Sequence, residues 1–181
     1  LKVMQRCEQC QGLSVCSQPL KGMRRELMLE EKMLMPIHVS CHFQKDETQR
    51  SAHQNRYLVS DFPKSYLYID LWKIDITKES KSYTEAMMKA MGIIGQNSTK
   101  GLYVWGLPGV GKTYLLAGMC NQLAKQGKSI CFVNVPKLVS DLKQMFQDNG
   151  AMEQYLYRIT HCDVLVLDDI GSESVTAWSR D

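Results

Sequence analysis

The chain has 181 residues, of which 44% are hydrophobic and 23% are charged. This length and composition suit one large domain or two small ones with a buried core, and they exclude a disordered tail or a fibrous protein. The formal net charge of +3 is too small for a protein that coats nucleic acid by charge alone.

The surplus of positive charge lies in the first third of the chain. Residues 1–60 hold 9 basic and 6 acidic residues, whereas residues 61–181 hold 13 of each. Cysteine is also concentrated there, with four of the seven cysteines in the first 41 residues. An odd number of cysteines favours a reducing cytoplasm over a secreted disulfide framework. No run reaches the roughly 18 apolar residues of a membrane span, so we expect no membrane association.

The first four cysteines predict a zinc-binding, partner-interaction module over residues 1–45. A C-x2-C pair grips a metal from a tight turn, and a region with few large apolar residues needs such a ligand to fold. His38 or His42 is an alternative fourth ligand, and free thiols in a loop-rich region are the alternative to zinc. We also expect a strand pair around residues 26–29 and 33–39. The predicted zinc ligands are Cys7, Cys10, Cys16 and Cys41.

Residues 46–60 are polar and weakly patterned, which is typical of a linker or an exposed helix. From residue 61 onward, helical and strand patterns alternate, which predicts an α/β fold with a parallel sheet covered on both faces. The predicted helices cover residues 83–95, with Ser82-x-x-Glu85 as a capping box, then 112–125, a segment opened by Pro136, and 151–160. The predicted strands cover residues 102–105, 129–135 and 164–167. The remaining three cysteines fall inside apolar patterns and are expected in the core; they are Cys120, Cys131 and Cys162.

The segment from Gly106 to Thr113 matches the pattern G-x-x-x-x-G-K-[ST], between a predicted strand and a predicted helix. Its glycines let backbone N–H groups turn toward phosphate oxygens, and the helix adds the positive end of its dipole. Lys112 is placed to reach the outer phosphates, and Thr113 to bind Mg²⁺. An ordinary glycine-rich turn is the alternative. The predicted ATP- or ADP-binding residues are Gly106, Gly109, Val110, Gly111, Lys112, Thr113 and Tyr114.

A second motif follows the predicted strand 164–167, where Asp168 and Asp169 come directly after four apolar residues. Ligands of open α/β sheets bind at the carboxyl ends of the strands. Asp168 is therefore predicted to hold Mg²⁺, and Asp169 to orient or deprotonate an attacking water, so that Asp169 and Lys112 are the candidate catalytic residues. The alternative is a strand that ends in a solvated turn.

Together these motifs resemble the DnaI-type primosomal helicase loaders. The resemblance rests on the loop 106–113, the segment 167–171, the sequence Trp178-Ser179-Arg180-Asp181 and the cysteine module. It implies an AAA+ ATPase that binds the replicative hexameric helicase through its N-terminal zinc module. It also implies placement of that helicase on single-stranded DNA and nucleotide-dependent self-assembly, in the cytoplasm at the nucleoid. The cysteine module distinguishes these loaders from DnaC-type loaders and IstB-type transposition helpers.

Two features depart from the AAA+ pattern. Asp169 stands where many members have Glu, which is consistent with slow, switch-like hydrolysis. In addition, the AAA+ fold places a further strand between the strand before the phosphate loop and the strand that ends at the two aspartates. That strand, the sensor residue and the arginine finger all come later in the chain than Asp181. We therefore expect a fragment that ends after the Walker B strand, which is the predicted strand 164–167 with its two aspartates. By itself, this fragment is expected to bind ATP but not to hydrolyse it.

Three other functions fit parts of the sequence. An IstB-like transposition helper shares the ATPase core, and a zinc-dependent DNA-binding protein with a structural nucleotide site would use the basic surplus. A small-molecule kinase lacks a visible clamp for its second substrate.

Overall fold

The computed structural model describes residues 7, 10–30, 32–96, 100–145 and 149–172. The chain divides into two compact units, Leu1–Ala52 and His53–Asp181. Within the described residues, no helix is both long and apolar enough to span a bilayer.

The first unit contains an antiparallel hairpin of β1 (Met23–Glu30) and β2 (Met33–Ser40). The predicted strand pair is therefore confirmed, with each strand longer than expected. Successive side chains of a strand point to opposite faces, so neighbouring residues near the tip cover opposite faces of the hairpin. Both faces carry exposed apolar side chains, namely Leu27, Met28, Leu29, Met33, Leu34 and Met35.

Helix α1 (His42–Gln54) follows the hairpin, and the short strand β3 (Tyr57–Ser60) comes next. These two elements occupy the polar stretch 46–60. The helix has no buried residue, as expected from its polar sequence.

The second unit is an α/β fold, as predicted. Its parallel sheet has the strand order β3, β4 (Ile130–Asn134), β5 (Val164–Asp168). Residue Phe132 pairs with both Ser60 and Val166. The helices are α2 (Lys81–Gln96), α3 (Lys112–Lys125), α4 (Val135–Met145) and α5 (Asn149–Thr160). Each predicted helix of this unit is present, with ends shifted by a few residues at most.

The predicted strand over residues 102–105 is absent, and this prediction was wrong. The segment 100–106 has no regular secondary structure, although the phosphate loop follows it as expected. A strand requires hydrogen bonds to a neighbouring strand. Among the described residues, β5 pairs only with β4, and no strand pairs with the segment 100–106.

The start of α2 also differs from the prediction. Ser80, rather than Ser82, caps the helix, because its Oγ accepts a hydrogen bond from the Tyr83 backbone N–H at 3.3 Å and its carbonyl accepts one from the Thr84 N–H at 2.9 Å. The capping motif is therefore shifted by two residues, and the helix begins at Lys81.

The core of the second unit lies between the sheet and helices α2 and α3. Its fully buried side chains include Leu71, Met87, Leu115 and Phe132. A buried polar side chain, that of Asn121, joins three segments. It accepts a hydrogen bond from the Tyr57 hydroxyl at 2.6 Å and donates to the carbonyl oxygens of Tyr66 and Ile69 at 2.7 and 3.0 Å. This satisfied amide fixes residues 66–69 against α3.

Gly118 allows Leu71 and Ile69 to pack directly on the backbone of α3. A Cβ at this position would lie 2.4 Å from Leu71 Cδ2 and 2.9 Å from Ile69 Cγ2. We expect Gly118→Ala to destabilise the fold by about 1–2 kcal/mol, because overpacking outweighs the gain of up to about 1 kcal/mol from higher helix propensity. Urea denaturation measures the change.

Gly92 in α2 is the matched control, because a Cβ there meets no atom within 4 Å. Gly92→Ala should stabilise the protein by about 0.5–1 kcal/mol. Equal shifts in the same direction for both variants would contradict the packing argument.

Candidate functional site

The phosphate loop has the backbone shape that its glycines predict. Gly109 and Gly111 have φ angles of 80° and 90°, in the left-handed region that favours glycine. Gly111 precedes the first residue of α3, Lys112. A Cβ on Gly111 would come within 3.1 Å of the Tyr83 ring, so both the backbone angle and the space require glycine here. The free N–H groups of the first helical turn are therefore available to an anion.

Lys112 reaches back over the loop that precedes it. Its Nζ donates hydrogen bonds to the carbonyl oxygens of Gly106 and Leu107, both at 3.0 Å. These two bonds hold the ammonium group at the mouth of the loop, and in the described part of the chain it has no carboxylate partner. A phosphate in the loop would offer it a stronger, charge-assisted bond.

Thr113 joins the loop to the acidic strand. Its Oγ1 donates a hydrogen bond of 2.9 Å to Oδ2 of Asp168, the last residue of β5. Asp168 is buried, with 8% of its surface exposed. Burial raises the pKa of its carboxyl group, and the Thr113 hydrogen bond partly opposes this shift. A hydroxyl and a carboxylate side by side are the hard oxygen donors that Mg²⁺ prefers, so the pair fits this ion.

Asp169 directly follows Asp168 in the chain, and its side chain is held by a residue that the sequence analysis missed. Asn134, at the end of β4, donates from Nδ2 to Oδ2 of Asp169 at 3.0 Å. Its own Oδ1 accepts the Lys137 backbone N–H at 3.1 Å, and its backbone N–H donates to Asp61 Oδ2 at 3.3 Å. Asp61 also forms an ion pair with the Lys137 side chain.

This network was detectable in principle. Asp61 follows β3, Asn134 ends β4 and Asp168 ends β5, so polar residues mark the carboxyl end of each parallel strand. The rule that identified Asp168 therefore also applies to Asn134 and Asp61.

All the predicted nucleotide-binding residues except Val110 line a common cavity. Its volume is about 1030 Å³, and its walls include the segment 100–106, the loop, Lys112, Thr113 and the residues of β5. Val110 and Tyr114 are exposed at 50% and 37%, and the Tyr114 ring packs edge-on against Tyr66 with 5.5 Å between centroids. The structure thus brings the loop, the lysine and both aspartates to one opening.

Hydrogen bonds connect the four N-terminal cysteines in two pairs, Cys16 with Cys41 and Cys7 with Cys10. Gly22 donates its N–H to Cys16 Sγ at 3.5 Å and accepts the Cys41 N–H at 2.8 Å. The Cys10 N–H donates to the Cys7 carbonyl at 3.3 Å, which closes a tight turn. Hydrogen bonds from backbone N–H groups lower the pKa of the Cys16 thiol.

These links do not amount to a formed metal site. Among the described residues, no three His, Cys, Asp or Glu side chains lie close enough together to hold a metal ion. The zinc site therefore stays a prediction.

Comparison with known proteins finds relatives that are ATP-binding proteins or helicase loaders. Residues 45–179 match the family described as IstB-like ATP binding protein. The chain is 30% identical over 179 residues to the replicative helicase loader DnaI of Bacillus subtilis strain 168, covering 97% of this chain and 57% of that protein. It is 34% identical over 76 residues to the replicative helicase loader DnaC of Escherichia coli strain K12, covering 41% of this chain and 31% of that protein.

A solved structure also shows similarity to DnaI. The crystal structure of DnaI aligns with a TM-score of 0.56 at 31% identity, covering 68% of this chain and 65% of that chain. The resemblance to the DnaI-type loaders is therefore confirmed. The chain spans 57% of the length of the Bacillus subtilis relative.

Proposed function

Because the chain belongs to the family of IstB-like ATP-binding proteins, we propose that it binds ATP with Mg²⁺ and helps load the replicative hexameric helicase onto single-stranded DNA. The observation that carries the proposal is the 2.9 Å hydrogen bond between Thr113 and Asp168, which joins the phosphate loop to the acidic strand. The similarity to a helicase loader over 97% of the chain supports the same function.

Each site residue has a role in this proposal. The backbone N–H groups of the loop and the Lys112 ammonium bind the phosphates, and Thr113 and Asp168 hold Mg²⁺. When bound, the ion neutralises phosphate charge and orients the outer phosphate. Asp169, oriented by Asn134, positions the water that attacks the outer phosphate.

Nucleotide binding would change the contacts of the loop. Lys112 would exchange its two carbonyl partners for phosphate oxygens, and the Thr113 hydroxyl, now bonded to Asp168, would hold Mg²⁺ together with Asp168. Both exchanges would be local changes from which a switch can be built. We propose that the ATP-bound form assembles with other copies and with DNA, in the cytoplasm at the nucleoid, and that hydrolysis releases it.

The first unit is proposed to contact the helicase and to bind one zinc ion through Cys7, Cys10, Cys16 and Cys41. The donor chemistry fits zinc, because N–H groups from Gly22 and Gln44 donate to the sulfurs of Cys16 and Cys41. Such hydrogen bonds favour the thiolate form, which is the form that binds metal.

We expect about one zinc per chain in protein purified without chelator, measured by elemental analysis. Cys10→Ser should lower the zinc content at least tenfold, because losing one of four thiolates weakens a closed tetrahedral site. Cys162→Ser lies outside the module and is the matched control, with full zinc expected. A wild-type content well below one zinc per chain would refute the metal site.

The function is tested by capture of the partner. The immobilised chain, supplied with ATP and Mg²⁺, should retain a purified replicative hexameric helicase from a bacterium with a DnaI-type loader. A folded chain that retains no helicase would contradict the loader assignment.

A second function is favoured by the family name, since IstB-like proteins include transposition helpers. The chain would then retain a transposase rather than the helicase in the same assay. A third outcome, tight DNA binding by the chain without either protein and with a steep salt dependence, would favour a zinc-dependent DNA-binding protein.

A further inference from the structure

Two cysteines outside the nucleotide site face the same turn of helix α5. Cys131, on β4, donates from Sγ to the carbonyl oxygen of Arg158 at 3.3 Å, and Cys162, two residues before β5, donates to that of Ile159 at 3.2 Å. These are consecutive carbonyl groups, so both sulfurs lie against one end of the helix. Neither cysteine is in a disulfide, and their shared position at the end of α5 is set by these two hydrogen bonds.

The two thiols differ in their access to solvent. Cys131 is fully buried, whereas Cys162 is half-buried. A reagent from solution therefore meets Cys162 first, and Cys131 is the inner partner. This arrangement of an outer and an inner thiol is that of an attacking and a resolving cysteine.

We propose that Cys131 and Cys162 form a thiol–disulfide modification site that accepts two oxidising equivalents from a small-molecule disulfide of the glutathione type. The Cys162 thiolate attacks one sulfur of the reagent, a new S–S bond forms, and one glutathione thiolate leaves. The Cys131 thiol then loses its proton to solvent, and the resulting thiolate attacks the Cys162 sulfur and releases the second glutathione as its thiolate. Two protein thiols are oxidised to one disulfide, and one small disulfide is reduced to two thiols.

The second step is controlled by pH. Burial raises the pKa of the Cys131 thiol to about 12, and the neighbouring Cys162 thiol adds to this shift. The groups facing the Cys131 thiol are Tyr155 and Arg158 on α5, Cys162, and the backbone of Val59 on β3. Far below pH 12 the thiolate fraction grows about tenfold with each pH unit, so the closing step should accelerate by about that factor.

The disulfide would tie β4 to the turn before β5 and close a loop that contains all of α4 and α5. Constraining a loop of this length stabilises the folded state against the unfolded chain, and we expect the melting temperature to rise by about 5 °C. This proposal does not depend on the helicase-loader function, since the thiols belong to neither the loop nor the acidic pair.

The experiment treats the full chain with oxidised glutathione at pH 7 and at pH 9, followed by alkylation, trypsin and mass spectrometry. Cleavage at lysine and arginine places Cys131 in peptide 129–137, Cys162 in peptide 159–180 and Cys120 in peptide 113–125. We expect the linked pair 129–137 with 159–180, formed faster at pH 9, and a mixed glutathione adduct on Cys162 as its precursor. Cys162→Ser should remove the linked pair and leave Cys131 as a free thiol.

Cys120 is the matched control, because it is also fully buried and burial also raises its pKa to about 12. Cys120→Ser should leave the linked pair unchanged. The proposal is overturned if the folded chain forms no linked pair at pH 9. It is also overturned if Cys131 is linked as often to Cys120 or to an N-terminal cysteine, or if linkage requires prior unfolding in urea. If Cys162→Ser fails to fold by circular dichroism, Cys162→Ala gives the same comparison.

Discussion

Replacing Lys112 by alanine is expected to weaken ATP binding at least 100-fold. The Lys112 ammonium is held at the mouth of the phosphate loop by two neutral carbonyl groups, those of Gly106 and Leu107. A phosphate would replace these neutral bonds by charge-assisted ones, and losing such a contact costs about 3 kcal/mol, or roughly 100-fold in affinity. Isothermal titration calorimetry with ATP and Mg²⁺ measures the loss.

The fold should survive this substitution, because both hydrogen bonds of the Lys112 side chain are exposed. We therefore expect the melting temperature of the nucleotide-free variant to stay within a few degrees of the parent, and helicase capture by the N-terminal unit to persist. Lys125→Ala is the matched control, since Lys125 lies at the other end of the same helix and its ammonium group pairs with the Asp70 carboxylate at 3.5 Å. Unchanged ATP affinity in the Lys112 variant would refute the nucleotide site.

Local signals in the sequence predicted much of this site. Backbone preferences and periodicity within a short stretch of sequence predict the role of the loop glycines and both ends of α3. The structure has this helix at the predicted bounds, Lys112 and Lys125. Asp168 was predicted correctly to lie at the end of a strand, because four apolar residues before two acids are also a local pattern.

The features that the sequence did not reveal depend on distant partners. The apolar segment 102–105 has the composition of a strand, but a strand also needs a partner strand, and none pairs with it in the described part of the chain. Asn134 acquires its role only because Asp169 is brought next to it by the register of β4 and β5. Asn121 reads as an ordinary helical residue until Tyr57 and the carbonyl groups of Tyr66 and Ile69 surround it.

Asp168→Asn is expected to stabilise the nucleotide-free protein while removing the effect of Mg²⁺ on ATP binding. Burial raises the pKa of the Asp168 carboxyl group, so its ionised form is disfavoured in the folded state. An acid with a raised pKa destabilises the fold above that pKa, and this penalty disappears as the pH falls below the pKa of the unfolded chain. An amide at this position avoids the penalty at neutral pH and still accepts the Thr113 hydrogen bond.

The melting temperature of the nucleotide-free variant should therefore rise by a few degrees at pH 7, and the difference from the parent should vanish near pH 3. Because a neutral amide is a poor Mg²⁺ ligand, the gain in ATP affinity that Mg²⁺ gives the parent should fall at least tenfold, as judged by titrations with Mg²⁺ and with EDTA. A variant that still responds to Mg²⁺ like the parent would exclude Asp168 as a ligand.

Asp163→Asn provides a control of opposite sign. Hydrogen bonds from the backbone N–H and hydroxyl of Ser129, at 2.8 and 2.7 Å, lower the pKa of the Asp163 carboxyl group. An acid with a lowered pKa stabilises the fold above the pKa of the unfolded chain, and this contribution is lost as the pH falls through the folded value. The same chemical change should therefore lower the melting temperature at pH 7 and leave the Mg²⁺ response intact. Opposite shifts from two Asp→Asn substitutions five residues apart would assign the Asp168 effect to its burial beside the phosphate loop rather than to the loss of a negative charge.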